Sequence, residues 1–197
     1  MWNANKRKVR YMFISRSELS PRESVLLQRL NDEYTPEVGR DVLCPLITRT
    51  SPVSLRTLDW AVVNWAKQHH VVCTSIVPGR FTNVHHAYRT TLNHWKRKLF
   101  DPFRRRRRIS VIIDGKEYET TLGQANFALW TYKTGVLAYV ISNMTMIEGD
   151  MNRVSKLAKM KGLEHGKKAK RSELTKGRRV TCVAYVAPSV VEFGQRS

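Results

Sequence analysis

The chain has 197 residues, 42% of them hydrophobic, which is enough for one packed domain and excludes a wholly disordered polymer. Thirty-five Lys and Arg against 16 Asp and Glu leave a formal net charge of +19. That imbalance opposes self-association and selects an anionic partner: nucleic acid, an anionic membrane surface or an acidic protein.

The N-terminal segment 1–16 carries five basic groups and no acid. Its apolar run, Tyr11 to Ile14, is too short for a signal peptide, so secretion is not expected. No stretch approaches the roughly 18 apolar residues of a membrane-spanning helix. Residues 17–34 read as a helix: Ser20-Pro21-Arg22-Glu23 supplies an N-cap, a proline at the first position and a capping glutamate, and Val25, Leu26, Leu27 and Leu30 form its buried side. Residues 35–50, with Pro36, Gly39 and Pro45, read as a loop. A second helix is expected from Ser51 or Ser54 to about His70, on Leu55, Leu58, Val62, Trp65 and Ala66.

The string "VVCTSIV" reads as a short strand before Pro78-Gly79. A third helix covers about 82–99, with Val84, Tyr88, Leu92, Trp95 and Leu99 on one stripe, and Asp101-Pro102 stops it. Lys96, Arg97 and Lys98 crowd its last turn, where cations favour the helix dipole. Ile109 to Ile113, the turn signal Asp114-Gly115 and Lys116 to Thr120 read as a β-hairpin. Thr121-Leu122-Gly123-Gln124 opens a fourth helix to about Lys133, and Gly135 separates it from a fifth, Val136 to about Leu157. Residues 158–179 are basic and poor in large apolar groups, and read as a flexible segment. Residues 180–197 then return as one or two strands.

Charge is concentrated. Residues 86–108 hold nine Lys and Arg against Asp101 alone, residues 153–179 hold eleven against two acids, and the intervening 109–152 are net acidic. The run Arg104, Arg105, Arg106, Arg107 and Arg108 leads directly into the hairpin. Neighbours on a strand alternate sides, so a strand buried on both faces could not host it. The run is expected to extend an edge strand or to form the approach to one. Charged edges block strand-to-strand aggregation, but five consecutive arginines exceed that need. Their forked guanidiniums match phosphate geometry, which favours contact with a phosphate backbone over a nuclear-import or protein-docking role.

Base reading has weaker support. The 121–133 and 136–157 helices resemble a helix-turn-helix in outline, but their acidic balance opposes a place in a DNA groove. Trp95, Phe100 and Phe103 could stack on bases, although Trp95 and Phe100 read better as core anchors. The expected binding is electrostatic and mostly independent of sequence.

Other chemistry is outweighed. His69, His70, Cys73, His85 and His86 lack any standard zinc spacing. Gly162 to Lys168 is no P-loop: three residues separate the glycines, and Lys168 stands where a magnesium-binding hydroxyl belongs. Asp114, Glu117, Glu119, Glu148 and Asp150 could in principle hold a nuclease metal. A turn explains Asp114, and pairing across the hairpin with the arginine-led strand explains Glu117 and Glu119. Cys44, Cys73 and Cys182 lie far apart without a CxxC pair and are expected as reduced thiols.

The strings "SLRTLDWAVVNWAKQH", "FDPFRRRRRI", "TTLGQANFALW" and "KRSELTKG" resemble a group of small basic, uncharacterised proteins of nucleocytoplasmic large DNA viruses, over about 54–177. The resemblance implies a viral setting and no catalytic residue. In such a setting, packed genomic phosphates need neutralising, and basic proteins link genome or membrane to the capsid interior.

The expected fold is α+β: four to five helices packed on a small antiparallel β unit that includes a hairpin near 108–120. The expected parts are a basic segment 1–16, a compact domain 17–157, a flexible basic loop 158–179, and 180–197 returning to the domain. The expected function is non-enzymatic binding of nucleic acid, duplex DNA above all, by Lys96, Arg97, Lys98, Arg104 to Arg108, Lys167, Lys168, Lys170 and Arg171, without cofactor or metal. A virion structural protein whose basic face meets acidic capsid protein or membrane stands second, and an enzyme acting on nucleic acid third. The location expected is the virion interior, the host nucleus or a cytoplasmic viral factory.

Overall fold

A computed structural model describes residues 12–104 and 108–164. The chain divides into two units, Met1–Leu157 and Ala158–Ser197. The architecture is α+β, as expected, and mostly helical.

The described elements, in order, are strand β1 (Met12–Ile14), helix α1 (Pro21–Glu33), helical segments α2 (36–48) and α3 (55–68), strands β2 (Val72–Thr74) and β3 (Phe81–Asn83), helix α4 (Val84–Phe100), strands β4 (Arg108–Ile113) and β5 (Lys116–Thr121), and helices α5 (Leu122–Lys133), α6 (Val136–Ser142) and α7 (Met144–Glu164). No helix among the described residues is long and apolar enough to cross a membrane.

The main sheet runs β1-β4-β5, all antiparallel. Ile109, Val111 and Ile113 of β4 face inward and are almost fully buried, while Arg108, Ser110 and Ile112 alternate to the other face. β4 is therefore the central strand, which corrects the edge-strand expectation for the arginine run. β1 pairs only with Ser110 to Ile112, so Arg108 projects beyond its end. Arg108 opens this central strand, so neither form of that expectation, an edge strand or the approach to one, holds. β1 also takes residues 12–14 of the basic N-terminal segment into the sheet, with Phe13 buried opposite Val111.

Helix α5 is the hub. Leu122, Ala125, Phe127, Ala128 and Leu129 are all buried, and α1, α2, α4, α6 and β5 pack around it. Because apolar and small residues surround it on every side, its interior polar groups bond within the core. Asn126 donates to the Leu99 carbonyl at 2.9 Å, and the Tyr34 hydroxyl donates to the Ala125 carbonyl at 2.8 Å. Phe100, Phe127 and Trp130 form an aromatic cluster with edge-on contacts of 5.6 Å from Phe100 to each of the other two.

Residues 36–48 are helical, not a loop. Thr35 caps the first turn by accepting from the Val38 N–H at 3.3 Å, and Pro36 occupies the first position, where its missing N–H costs nothing. Gly39–Leu43 then widens to a π-turn in which Cys44 N–H reaches back to the Gly39 carbonyl, just before Pro45. The same device recurs at Ala61–Trp65 within α3. The prolines that suggested breaks therefore sit where a helix tolerates them.

Three further expectations are corrected. Val25 is 60% exposed, whereas Leu26 and Leu30 are buried. The fifth helix is two, separated at Asn143, where the backbone leaves helical geometry. Residues 158–164 are helical as the end of α7, since Lys, Leu, Ala, Met and Glu outweigh the single Gly162. The rest of the segment expected to be flexible, and the strands expected over 180–197, lie outside the described residues.

β2 and β3 form a separate two-stranded hairpin. Ser75 Oγ and the Ile76 N–H both reach the Lys133 carbonyl at the end of α5, at 2.7 and 3.1 Å. Gly135, which follows, has φ 76°, and a Cβ there would lie 2.0 Å from the Thr74 carbonyl oxygen.

Candidate nucleic-acid interface

The aromatic cluster fixes the end of α4. Trp95, Leu99 and Phe100 are buried, while Lys96, Arg97 and Lys98 are all exposed. Lys96 takes φ 63° and ψ 163°, so the helix breaks within its basic turn. Trp95 and Phe100 are thus core residues, and Phe103 is 51% exposed.

Asp101 organises the exit. Its backbone N–H donates to the Arg97 carbonyl at 3.1 Å, its carboxylate accepts from the Phe103 N–H at 2.9 Å, and its carbonyl accepts from the Arg104 N–H. This Asx turn packs on α5: a Cβ at Gly123 would lie 2.7 Å from the Asp101 carbonyl oxygen. Arg104 is exposed at the end of a turn held against the core. The two described members of the run, Arg104 and Arg108, flank Arg105, Arg106 and Arg107, which lie outside the described residues. So do Lys167, Lys168, Lys170, Arg171 and Cys182.

The electrostatics of the described cations differ. Arg108 forms an ion pair with Glu119 across the β4–β5 ladder, and Arg16 pairs with Glu117 at 2.6 Å. Glu119 thus pairs with the arginine-led strand as expected, whereas Glu117 takes its cation from Arg16, outside that strand, and the outer sheet face is close to neutral. Asp114, at the hairpin turn with φ 51°, accepts from Arg40 at 2.9 Å. Lys96, Arg97, Lys98 and Arg104 have no ion-pair partner among the described residues.

A second acid lies close to this region. Burial pushes the Asp59 carboxyl up to about 6, and repulsion from Asp101 adds to the effect. Burial also pushes the Tyr88 phenol up to about 12, assisted by Asp59 and Asp101 and opposed by Arg97. Of the histidines considered as ligands, His69 lies on the Trp65 ring at 3.8 Å, and His86 N–H donates to the Asn83 cap of α4 at 3.0 Å. Among the described residues no three His, Cys, Asp or Glu side chains cluster. Cys73 is buried, Cys44 is half-buried, and both are free thiols.

Beside the Asx turn lies a cleft of about 670 Å³ between the end of α2, the starts of α3 and α5 and the β4–β5 ladder. Arg49, Arg56 and Arg108 line it, with Phe103 and Pro102 on one side. Arg49 and Arg56 were not singled out in the sequence: they stand alone in a charge-balanced stretch, and only the fold brings them beside the arginine run. The recognition-helix outline also fails sterically, because α5 is enclosed by other elements and α6 has seven residues.

A model of a family of unknown function, DUF7197, matches residues 34–181. The chain is also 26% identical, over 153 residues, to an uncharacterised protein of Acanthamoeba polyphaga mimivirus, covering 73% of this chain and 59% of the relative. The chain thus spans about 59% of that relative's length. A viral, uncharacterised relative agrees with the resemblance seen in the sequence. The family match begins at residue 34, about 20 residues earlier than that resemblance. No solved structure matches the chain.

Proposed function

The chain belongs to the DUF7197 family, and we propose that it is a non-enzymatic protein of a large DNA virus that binds nucleic acid mostly without regard to sequence and organises or packages DNA. The observation that carries this reading is the placement of Lys96, Arg97, Lys98 and Arg104: exposed, free of carboxylate partners among the described residues, and borne on a helix end and turn anchored by Phe100 and Asp101. Cations held on ordered structure lose little freedom on meeting phosphate, and each contact releases a counterion. Arg105, Arg106, Arg107, Lys167, Lys168, Lys170 and Arg171, which lie outside the described residues, add to the positive charge of the chain. The virion interior, the host nucleus or a cytoplasmic viral factory would suit this role.

The test is a titration of the full chain with duplex DNA, single-stranded DNA and RNA across a salt series, beside a variant with residues 104–108 changed to Ala. Each lost phosphate contact should shallow the log–log salt slope on duplex DNA by about 0.9. A steep slope that drops by several in the variant is expected. Weak binding, unchanged in the variant, overturns the reading.

One observation favours a second reading, a virion structural protein. Val72, Ile76, Val77 and Phe81 on and around the β2–β3 hairpin are each about half exposed or more, with Phe81 at 71%. An exposed apolar patch of this kind suits a fixed contact in a particle. Fixed stoichiometry in purified virions, with no dependence on nucleic acid, would support it.

A further inference from the structure

We propose that the arginine-lined cleft beside the Asx turn holds one nucleotide of an unpaired nucleic-acid strand, with its base out of the stack. The inference rests on the nucleic-acid reading above and gives it a substrate preference. The cleft's volume, about 670 Å³, falls within the range of sites that enclose small organic groups, roughly 300–1,000 Å³. Its chemistry divides in two. Ile47, Val53 and Leu55 give an apolar lining, and Phe103 adds a half-exposed aromatic ring. Arg49, Arg56 and Arg108 supply cations, with Glu119 as the sole lining carboxylate among the described residues.

Glu119 is already paired with Arg108, so Arg49 and Arg56 are the cations left for a ligand; neither has an ion-pair partner among the described residues. Ser51, Thr121 and Gln124 add uncharged hydrogen-bonding groups. An exposed ring beside cations and an apolar wall suits a planar base joined to a phosphate. A duplex presents its phosphates on a convex surface and keeps its bases stacked within, so it gains little from a concave, partly apolar cleft. An unstacked nucleotide gains from both halves. A phosphorylated side chain would use the arginines and leave the apolar wall and ring unused.

Fluorescence anisotropy tests this with a labelled oligothymidylate of about a dozen nucleotides and a blunt duplex of the same length. The proteins are wild type, Phe103→Ala, Phe103→Trp, Arg49→Gln with Arg56→Gln, and the Ala variant of 104–108. Phe103, Arg49 and Arg56 are exposed, so the folds should hold, and melting temperatures check this. Phe103→Ala should weaken single-strand binding about tenfold, within the range for loss of one stacked base. Duplex binding should change less than twofold, and Phe103→Trp should restore the single strand. The double Arg variant should follow Phe103→Ala.

Competition by free thymidine monophosphate separates a mononucleotide site from a strand site. Displacement only at concentrations far above those of the oligonucleotide is expected for a strand. Equal competition by inorganic phosphate would mean that no base is bound and would overturn the proposal. Unchanged single-strand binding in the Phe103 and Arg49/Arg56 variants, with duplex binding still lost in the 104–108 variant, overturns the cleft and leaves the packaging role standing. No binding to either probe overturns both.

Discussion

Replacing Asp59 with Asn should stabilise the protein at neutral pH and do nothing in acid. Asp59 is half-buried in α3, has no hydrogen-bond partner among the described residues, and faces repulsion from Asp101. Moving its carboxyl from an ordinary 3.8 to about 6 corresponds to about 3 kcal/mol between its two protonation states. Solvent screening at a half-buried site reduces the expected gain to about 1–2 kcal/mol. The sign follows from which state binds the proton. Below about pH 3, folded and unfolded chains both hold it, and the substitution is neutral. Between about 4 and 6 the unfolded chain releases its proton first, so wild-type stability falls with pH. Above 6 the full penalty is present, and the Asn variant escapes it. Urea unfolding at pH 4 and pH 7.5, wild type beside Asp59→Asn, measures the difference directly. The expected result is a gap of at most about a few tenths of a kcal/mol at pH 4 and of about 1–2 kcal/mol at pH 7.5. An equal gap at both pH values, or a variant less stable at pH 7.5, would refute the placement of a strained carboxyl there.

Two other substitutions probe different parts of the structure. Gly135→Ala combines a left-handed backbone with a Cβ that cannot coexist with the Thr74 carbonyl, and should cost about 2 kcal/mol or more in chemical denaturation. Arg104→Ala should shallow the duplex salt slope by about 0.9, whereas Arg108→Ala should shallow it less, because Glu119 already neutralises Arg108; equal slopes from the two would mean that this ion pair opens on binding.

Much of the fold was legible because its signals are local. The hairpin turn at Asp114-Gly115, the caps at Ser20 and Thr121, and the stripe from Val84 to Leu99 each specify an element from within a few residues. β1 was not legible. Three residues make no pattern, and Phe13 becomes a strand residue only against Val111, 98 positions away. The 36–48 helix was hidden because Pro36, Gly39 and Pro45 read as breakers until the π-turn that accommodates them is seen. Of the candidate interface, the cations in the long basic runs announced themselves. Phe103 stood out as a stacking candidate, but Arg49 and Arg56 did not, since separated segments of the chain must converge before their cleft exists. The acid near the run, Asp59, was equally silent, because its unusual affinity for a proton comes from burial and from Asp101, 42 positions later.

The joining of β1 to β4, and of α1 to α5 through Tyr34 and Ala125, has a consequence for how the molecule is made. Closing a loop of about 100 residues costs roughly 4 kcal/mol of chain entropy before any contact repays it. During synthesis β1 and α1 emerge first and wait, with Leu26 and Leu30 uncovered, until the hairpin and α5 follow. The N-terminal half therefore has no stable partner of its own, and a ribosome-stalled chain ending before Lys133 should remain open to protease. Folding is committed late, by one helix, and topology of this kind slows it. In a cell producing many copies at once, that delay is the interval in which a long, highly positive nascent chain is most exposed to the anions around it.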